Sequence, residues 1–359
     1  MSKIFGSVFL IFGTVVGAGF SSGKEIMVFF SRYGVLSYLY ILMAGLLFFL
    51  LFYFLLLHGK SISKHIENSK ILNFVMFVIS IVFCSSMFAG IKNLFSYLPI
   101  VVYVLLIVVL ILGCVLVCIK GMKGLEKANL VLMPAMSIIF LAVLFFACFS
   151  SSKISISTNS WAGFLYCPLY VSLNISMSSV VISKIGENLT KKQAFYVSLF
   201  STILILIFLL FGNFVLQKNN DSFVSEMPFL NIVKNNPLMF VLAYVVILIG
   251  CFTTLISLCL TLKTSFQVFI KNEMIATLCA VLIPFVISAV GFSQIVSLLY
   301  PICSVFGVFV LAYIVAFENG KIVKDKVSRK INGEWCLFSD WIFLFKQTHQ
   351  IIHQIGEYA

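Results

Sequence analysis

The first apolar stretch of the chain, residues 4–30, reads IFGSVFLIFGTVVGAGFSSGKEIMVFF and is interrupted by glycine halfway along. A helix in lipid must satisfy its own backbone hydrogen bonds, and non-helical backbone at membrane depth survives only where protein buries it or it lines a wet cavity. Gly13, Gly17, Gly19 and Gly23, with Ser21 and Ser22, weaken the helix in the middle of this stretch. A broken first span is a pointer to the binding site of a transporter.

Composition sets the class. With 62% hydrophobic residues, 10% charged residues and a mean hydropathy of +1.14, the chain is no soluble globular domain. It reads as an all-α polytopic membrane protein. The apolar stretch after Lys3 is too long for a signal-peptide core and runs into Lys24 and Glu25, so no cleavable leader is expected. The net charge of +12 is scattered through short connections, which argues against a nucleic-acid-binding face.

Ten apolar runs approach the roughly 20 residues needed to cross a hydrocarbon core: 4–30, 34–57, 71–91, 98–118, 129–149, 161–183, 195–216, 238–262, 274–290 and 295–317. Alternate connections carry 18 positive charges on one side and 5 on the other. The positive-inside rule then places both termini in the cytoplasm of a cell whose plasma membrane the chain spans.

Ten runs divide as five plus five, and the sixth also carries a break signal. Its sequence, WAGFLYCPLYVSLNISMSSVVIS, contains Pro168 followed by Ser172, Asn174, Ser176, Ser178 and Ser179. Proline in a helix interior removes a hydrogen bond and clashes with the preceding turn. Interrupted helices at positions one and six form the signature of an inverted repeat with its site at mid-membrane. Repeat one covers about 4–149 and repeat two about 161–317, within a transport domain of residues 1–317; a basic, amphipathic tail follows at 318–359. The glycines also match the small-xxx-small packing pattern. Were packing their only role, Gly13→Ala and Gly19→Ala would do equal harm. Lys24 and Glu25, ionisable groups inside a span, either face a cavity or pair near the helix end.

The stretch GTVVGAGFSSGKEIMVFFSRYG, residues 13–34, resembles the opening of the YkvI-like family of bacterial membrane proteins, where a G-T-V-V-G-A-G-F-x-S-G-x-E pattern leads the chain. That family is similar to distant members of the amino acid-polyamine-organocation superfamily, which implies the LeuT-like fold over roughly residues 4–317. Lys24 stands where glutamine is expected.

The resemblance implies a substrate carboxylate held by backbone amides of Ala18, Gly19 and Phe20, with Gly17 and Ser21 also substrate-binding and the glycines letting the ligand approach the backbone. Free amides at a helix start suit an anion independently of family. Around Tyr170 and Asn174 the sixth span would offer carbonyls and an amide to an ammonium group. Ser85 and Ser86, mid-way along the third span, join Phe20, Tyr170 and Glu25 as pocket residues. In sodium-coupled relatives one ion is held by carbonyls matching Gly13, Val16 and Gly250 and hydroxyls matching Thr253 and Thr254, hard oxygens suited to a small cation. The fifth span lacks the lysine that replaces this ion in proton-coupled members, which favours sodium; Glu25, a carboxylate within the span, favours a proton.

Other chemistries lack their residues. No C-x-x-C pair occurs among ten cysteines, His349 and His353 have no zincin carboxylate, and no Walker A sequence is present, so neither an enzyme nor a resident metal or cofactor is expected. Trp335, Phe338, Trp341, Phe343 and Phe345 in the basic tail suit an inner-leaflet surface. Three functions stay open: a secondary transporter for an amino acid or similar small zwitterion, a permease-like ligand sensor such as a spore germinant receptor subunit, and a channel or structural membrane protein. The expected partners are the substrate and the lipid bilayer.

Overall fold

The first apolar run folds as a helix that stops, turns and starts again. Helix α1 (Ser2–Val15) gives way to Val16 and an extended Gly17 (φ −99°, ψ −161°), followed by a single turn, α2 (Ala18–Ser21). Gly23 then takes a left-handed conformation (φ +85°) and opens α3 (Lys24–Phe29). Only glycine is comfortable there, and a methyl group at this position would also meet the ring of Phe229 at 3.0 Å. A 3₁₀ stretch (Ser31–Leu36) leads into α4 (Ser37–Leu57).

The chain continues with α5 (Gly59–Asn68), α6 (Lys70–Phe95), α7 (Ile100–Ile119), α8 (Gly121–Cys148), α9 (Gly163–Gly186) and α10 (Lys191–Lys218). After a 3₁₀ turn come α11 (Pro228–Ile232), α12 (Pro237–Phe266), α13 (Glu273–Ile287), α14 (Phe292–Gln294) and α15 (Tyr300–Ile331). This computed structural model describes residues 2–96, 98–149 and 160–331, and no strand occurs among them. Among the described residues nine helices are long and apolar enough to cross a membrane. The discontinuous segment from α1 to α3 corresponds to the first apolar run of the sequence and is not among the nine, its longest apolar helix, Lys3–Val15, being too short. Helix α7 shows why the bundle belongs in lipid: Val101, Leu105, Val109, Leu112 and Leu116 are all exposed on a helix with almost no polar residue.

The chain divides into two units, Met1–Ala312 and Tyr313–Ala359. The second unit is helical as far as Ile331. Trp335, Phe338, Trp341, Phe343, Phe345, Cys336, His349 and His353 lie outside the described residues, as does the rest of the proposed amphipathic tail beyond Ile331.

The two halves of the chain share a pattern of short helices. In each half a short element separates the second and third long helices: α5 in the first, the 3₁₀ turn with α11 in the second. Each packs on the first span of the other half. Gly59, at the start of α5, approaches the backbone of Ser183 and Gly186 in α9 so closely that neither glycine has room for a methyl group. The Phe229 amide of α11 donates to the Ser22 carbonyl at 2.9 Å.

The expected break in the sixth span does not occur. Helix α9 runs uninterrupted from Gly163 to Gly186 with Pro168 inside it. Pro168 falls in the second turn, where its missing donor leaves only a carbonyl at the frayed start of the helix without a partner. The polar residues that follow turn inward on their own backbone: Ser172 to the Leu169 carbonyl at 2.8 Å, Ser178 to Asn174 at 2.7 Å and Ser179 to Ser176 at 2.9 Å. Hydroxyls satisfied in this way leave a helix intact.

Candidate functional site at the break in the first helix

Gly17 and its neighbours lie wholly buried among α6, α9 and α12. Because Val16 and Gly17 are not helical, the amides of the first turn of α2 have no regular carbonyl one turn back. The Phe20 amide finds no acceptor among the described residues. The Ala18 amide is not free as expected: it donates to the Met87 sulfur of α6 at 3.2 Å. Ser21 bonds the Gly17 carbonyl at 2.8 Å and so braces the turn from within.

Helix α12 closes one side of the break. The Thr254 hydroxyl donates to the Gly13 carbonyl at 3.0 Å, and a methyl group on Gly17 would touch the Thr254 methyl at 3.3 Å. Gly250 lies against Ser21, whose hydroxyl oxygen would be 3.0 Å from a methyl group there. Thr253 instead bonds the carbonyls of Ile249 and Gly250 in its own helix, at 2.9 and 3.2 Å. Gly13, Gly250 and Thr254 therefore converge at the end of α1, while the Thr253 hydroxyl is held by its own backbone. The side-chain oxygen of Asn129 in α8, buried and without a hydrogen bond, presses on Gly13.

The other side of the break is aromatic and acidic. Lys24 and Glu25 part company: the Lys24 ammonium donates to the Ser225 carbonyl at 3.0 Å, whereas the Glu25 carboxylate folds back onto the α-carbon of Gly19. Glu25 is 3% exposed and makes no hydrogen bond or ion pair among the described residues. Tyr170 is enclosed by Phe30, Phe29 and Phe48, with ring centroids at 4.9, 5.3 and 6.0 Å. Tyr300 shares a hydrogen bond of 2.5 Å with Ser86 and packs on Phe83 at 4.2 Å. Ser85 bonds only the Ile81 carbonyl of its own helix, and no observation joins it to this cluster.

Sequence reasoning missed Met87, Asn129 and Tyr300. A signal for Tyr300 was available in Pro301, which offers no N–H to the carbonyl one turn back. The helix widens into a π segment over Ile295–Leu299 immediately before it, and such segments mark functional sites. This segment packs against both α3 and α6, which delivers Tyr300 to Ser86.

Two cavities of about 430 Å³ flank the break. One, toward the basic end, is lined by Ser63, Asn73, Val180, Ser183, Thr261 and Ser265. The other is lined by Asn93, Ser225, Glu226, Leu230 and Lys234. Thr261 lies two turns beyond Thr254 and Asn93 two turns beyond Ser86, so each cavity begins roughly 10 Å from the centre along its helix.

No protein-family model matches the chain. Over 325 residues, 85% of this chain and 92% of the relative, it is 25% identical to the uncharacterized membrane protein YkvI of Bacillus subtilis (strain 168). The chain is thus similar to that membrane protein along most of its length. Among solved structures, a Na+-coupled sialic acid symporter in its substrate-bound, outward-open state superimposes with a TM-score of 0.58 at 12% identity, covering 87% of this chain and 77% of that one. This likeness shows a shared LeuT-like fold. The nucleobase-cation-symport-1 transporter Mhp1 has a TM-score of 0.47 at 11% identity, over 84% of this chain and 74% of its own. The all-α, polytopic, LeuT-like architecture expected from the sequence is thus borne out, with a first span that is broken and a sixth that is not.

Proposed function

We propose that this YkvI homologue is a secondary active transporter of an amino acid or similar small zwitterion, working in a bacterial plasma membrane with both termini in the cytoplasm. The observation that carries the reading is the buried break at Val16 and Gly17, enclosed by α6, α9 and α12 and approached by a cavity from either end. A closed centre between two vestibules is what rocking of one helix bundle against another requires.

Sodium is the proposed coupling ion. The carbonyls of Gly13, Val16 and Gly250 and the Thr254 hydroxyl are hard oxygens at the end of α1, and Asn129 adds a buried oxygen with no other partner. Thr253 would have to release its own carbonyls to take part. The substrate is placed at Gly17, Gly19, Phe20 and Ser21 on the first span, facing Tyr170, Asn174 and Ser86. The reading is tested by counterflow of pooled labelled amino acids into proteoliposomes holding the purified protein, in sodium, in potassium and under an inward proton gradient. Accumulation in sodium alone is expected. Silence in all three conditions from folded protein overturns it.

A further inference from the structure

A third cavity, of about 490 Å³, opens at the basic end of the bundle where α5, α8 and α9 meet. It is lined by Lys60, Ser63 and Lys64 of α5, Glu126 of α8, and Lys184 and Glu187 of α9. Lys3 of α1 reaches the same place, donating to the carbonyl of Asn188 in the cavity wall at 2.6 Å. Ser63 and Lys184 also line the cavity that approaches the break from this end, so the two spaces are neighbours.

Several groups in this wall lack a partner. Lys60 and Lys64 stand one turn apart on one face of α5, and their side chains make no ion pair or hydrogen bond among the described residues. The same holds for the carboxylates of Glu126 and Glu187. Ser63 is 6% exposed, yet its hydroxyl has no hydrogen-bond partner among the described residues. Buried hydroxyls are normally paired. Ammonium groups and a hydroxyl supply donors for a phosphate, and the carboxylates accept from a cation. A purely anionic ligand would meet Glu126 and Glu187 with like charge, so the wall calls for one ligand that carries both signs.

The surroundings face lipid. Leu130 and Val131 follow Glu126 on α8 by about one turn and are exposed, as is Phe5, which follows Lys3 on α1. One turn separates the cavity from hydrocarbon-facing side chains by roughly 6 Å along the helix, which is headgroup depth. Helix α5 is itself amphipathic, with Ile62 and Ile66 buried and Lys60 and Lys64 exposed, as suits a helix at a membrane surface.

We propose that this cavity holds the headgroup of a bilayer lipid carrying both a phosphate and a primary ammonium, as phosphatidylethanolamine does. Lys60, Lys64 and Ser63 take the phosphate, Glu126 and Glu187 take the ammonium, and the acyl chains lie along Leu130 and Val131. A choline headgroup brings no N–H to the carboxylates, and a glycerol headgroup brings no cation. The bound lipid bridges α5 to α8 and α9 beside the close approach of Gly59 and Gly186, and so braces the basic end of the bundle. This site stands whether or not the protein moves a solute.

The test titrates full-length protein, stripped of lipid in detergent, with phosphatidylethanolamine, phosphatidylcholine and phosphatidylglycerol of identical acyl chains, and with soluble phosphoethanolamine and inorganic phosphate. Thermal midpoints and the lipids retained in native mass spectrometry are read for wild type, Lys60→Gln/Lys64→Gln and Glu126→Gln/Glu187→Gln. The substituted side chains are exposed, so both variants keep the fold. Phosphatidylethanolamine is expected to protect the wild type best and to be retained most. The concentration giving half of that protection should rise about tenfold or more in the lysine variant. In the glutamate variant the preference should turn to phosphatidylglycerol. Equal protection by the three lipids, or an unchanged preference in both variants, would overturn the site. Protection by soluble phosphoethanolamine or phosphate as strong as that by the lipid would overturn a lipid as its occupant.

Discussion

The Thr254 hydroxyl donates to the Gly13 carbonyl at 3.0 Å, tying α12 to α1 just before the first helix ends. This is the one cross-helix bond among the five residues proposed for the ion, and it has the oxygens of both partners side by side. Replacing Thr254 by valine keeps the shape and removes the hydroxyl. We expect Thr254→Val to abolish sodium stimulation of transport and to lower stability by about 1 kcal/mol, with Thr254→Ser retaining both. An unchanged sodium activation curve for Thr254→Val would remove the ion from this place.

Gly19 and Glu25 are coupled by contact. A methyl group on Gly19 would overlap the Glu25 carboxylate. Gly19→Ala is therefore expected to destabilise the protein by about 1–3 kcal/mol, and most of that penalty should vanish in a Glu25→Ala background. Thermal midpoints of the two single variants and the double variant in detergent read the coupling directly; strictly additive shifts would show that the contact is absent. Gly13 is no neutral control, because a methyl group there would overlap Asn129; Gly6, which faces open space, serves instead.

We propose that Lys24 serves closure on one side of the break rather than the ligand. It reaches the Ser225 carbonyl in the turn before α11, beside Glu226, which accepts from Asn93. Lys24→Met should change ligand affinity by less than about threefold, since this partly exposed polar contact contributes around 1 kcal/mol or less. It should at the same time speed labelling of a cysteine introduced at Ser222. A larger loss of affinity would place Lys24 in the pocket.

The junction of α5 with α9 has no side chain to give way. Methyl groups at Gly59 and Gly186 would run into the backbone of Gly186 and Leu56 respectively. Gly186→Ala should cost about 3 kcal/mol or prevent assembly altogether. Gly6→Ala should leave the thermal midpoint unchanged or raise it, as alanine is the better helix former. Size-exclusion profiles and melting of the two variants make the comparison; a Gly186→Ala protein that melts like wild type would contradict the close approach.

The break in the first helix could be read along the chain, and the failures of that reading elsewhere have local causes. The break after Val15 was legible because glycine spacing acts on the backbone it belongs to. The sixth-span break was not, since Pro168 near a helix start and serines bonded to their own carbonyls look, in sequence, like a disrupted helix. Ser85 and Ser86 are adjacent and chemically identical; only helix rotation sends Ser86 to Tyr300 and leaves Ser85 on Ile81. Lys24 and Glu25 invited a single reading, yet they point to opposite sides of one turn.

From sequence alone it followed that the chain is a helical membrane protein and that its first helix fails near Gly17. These are consequences of hydropathy and backbone preference, which act over one or two turns and need no partner. Tertiary structure decided which side chains meet there: Met87 at the Ala18 amide, Asn129 at Gly13, Thr254 at the Gly13 carbonyl, and Glu25 at Gly19. Such meetings depend on the rotation and depth of helices far apart in the chain, set by close packing of the whole bundle and by no local pattern.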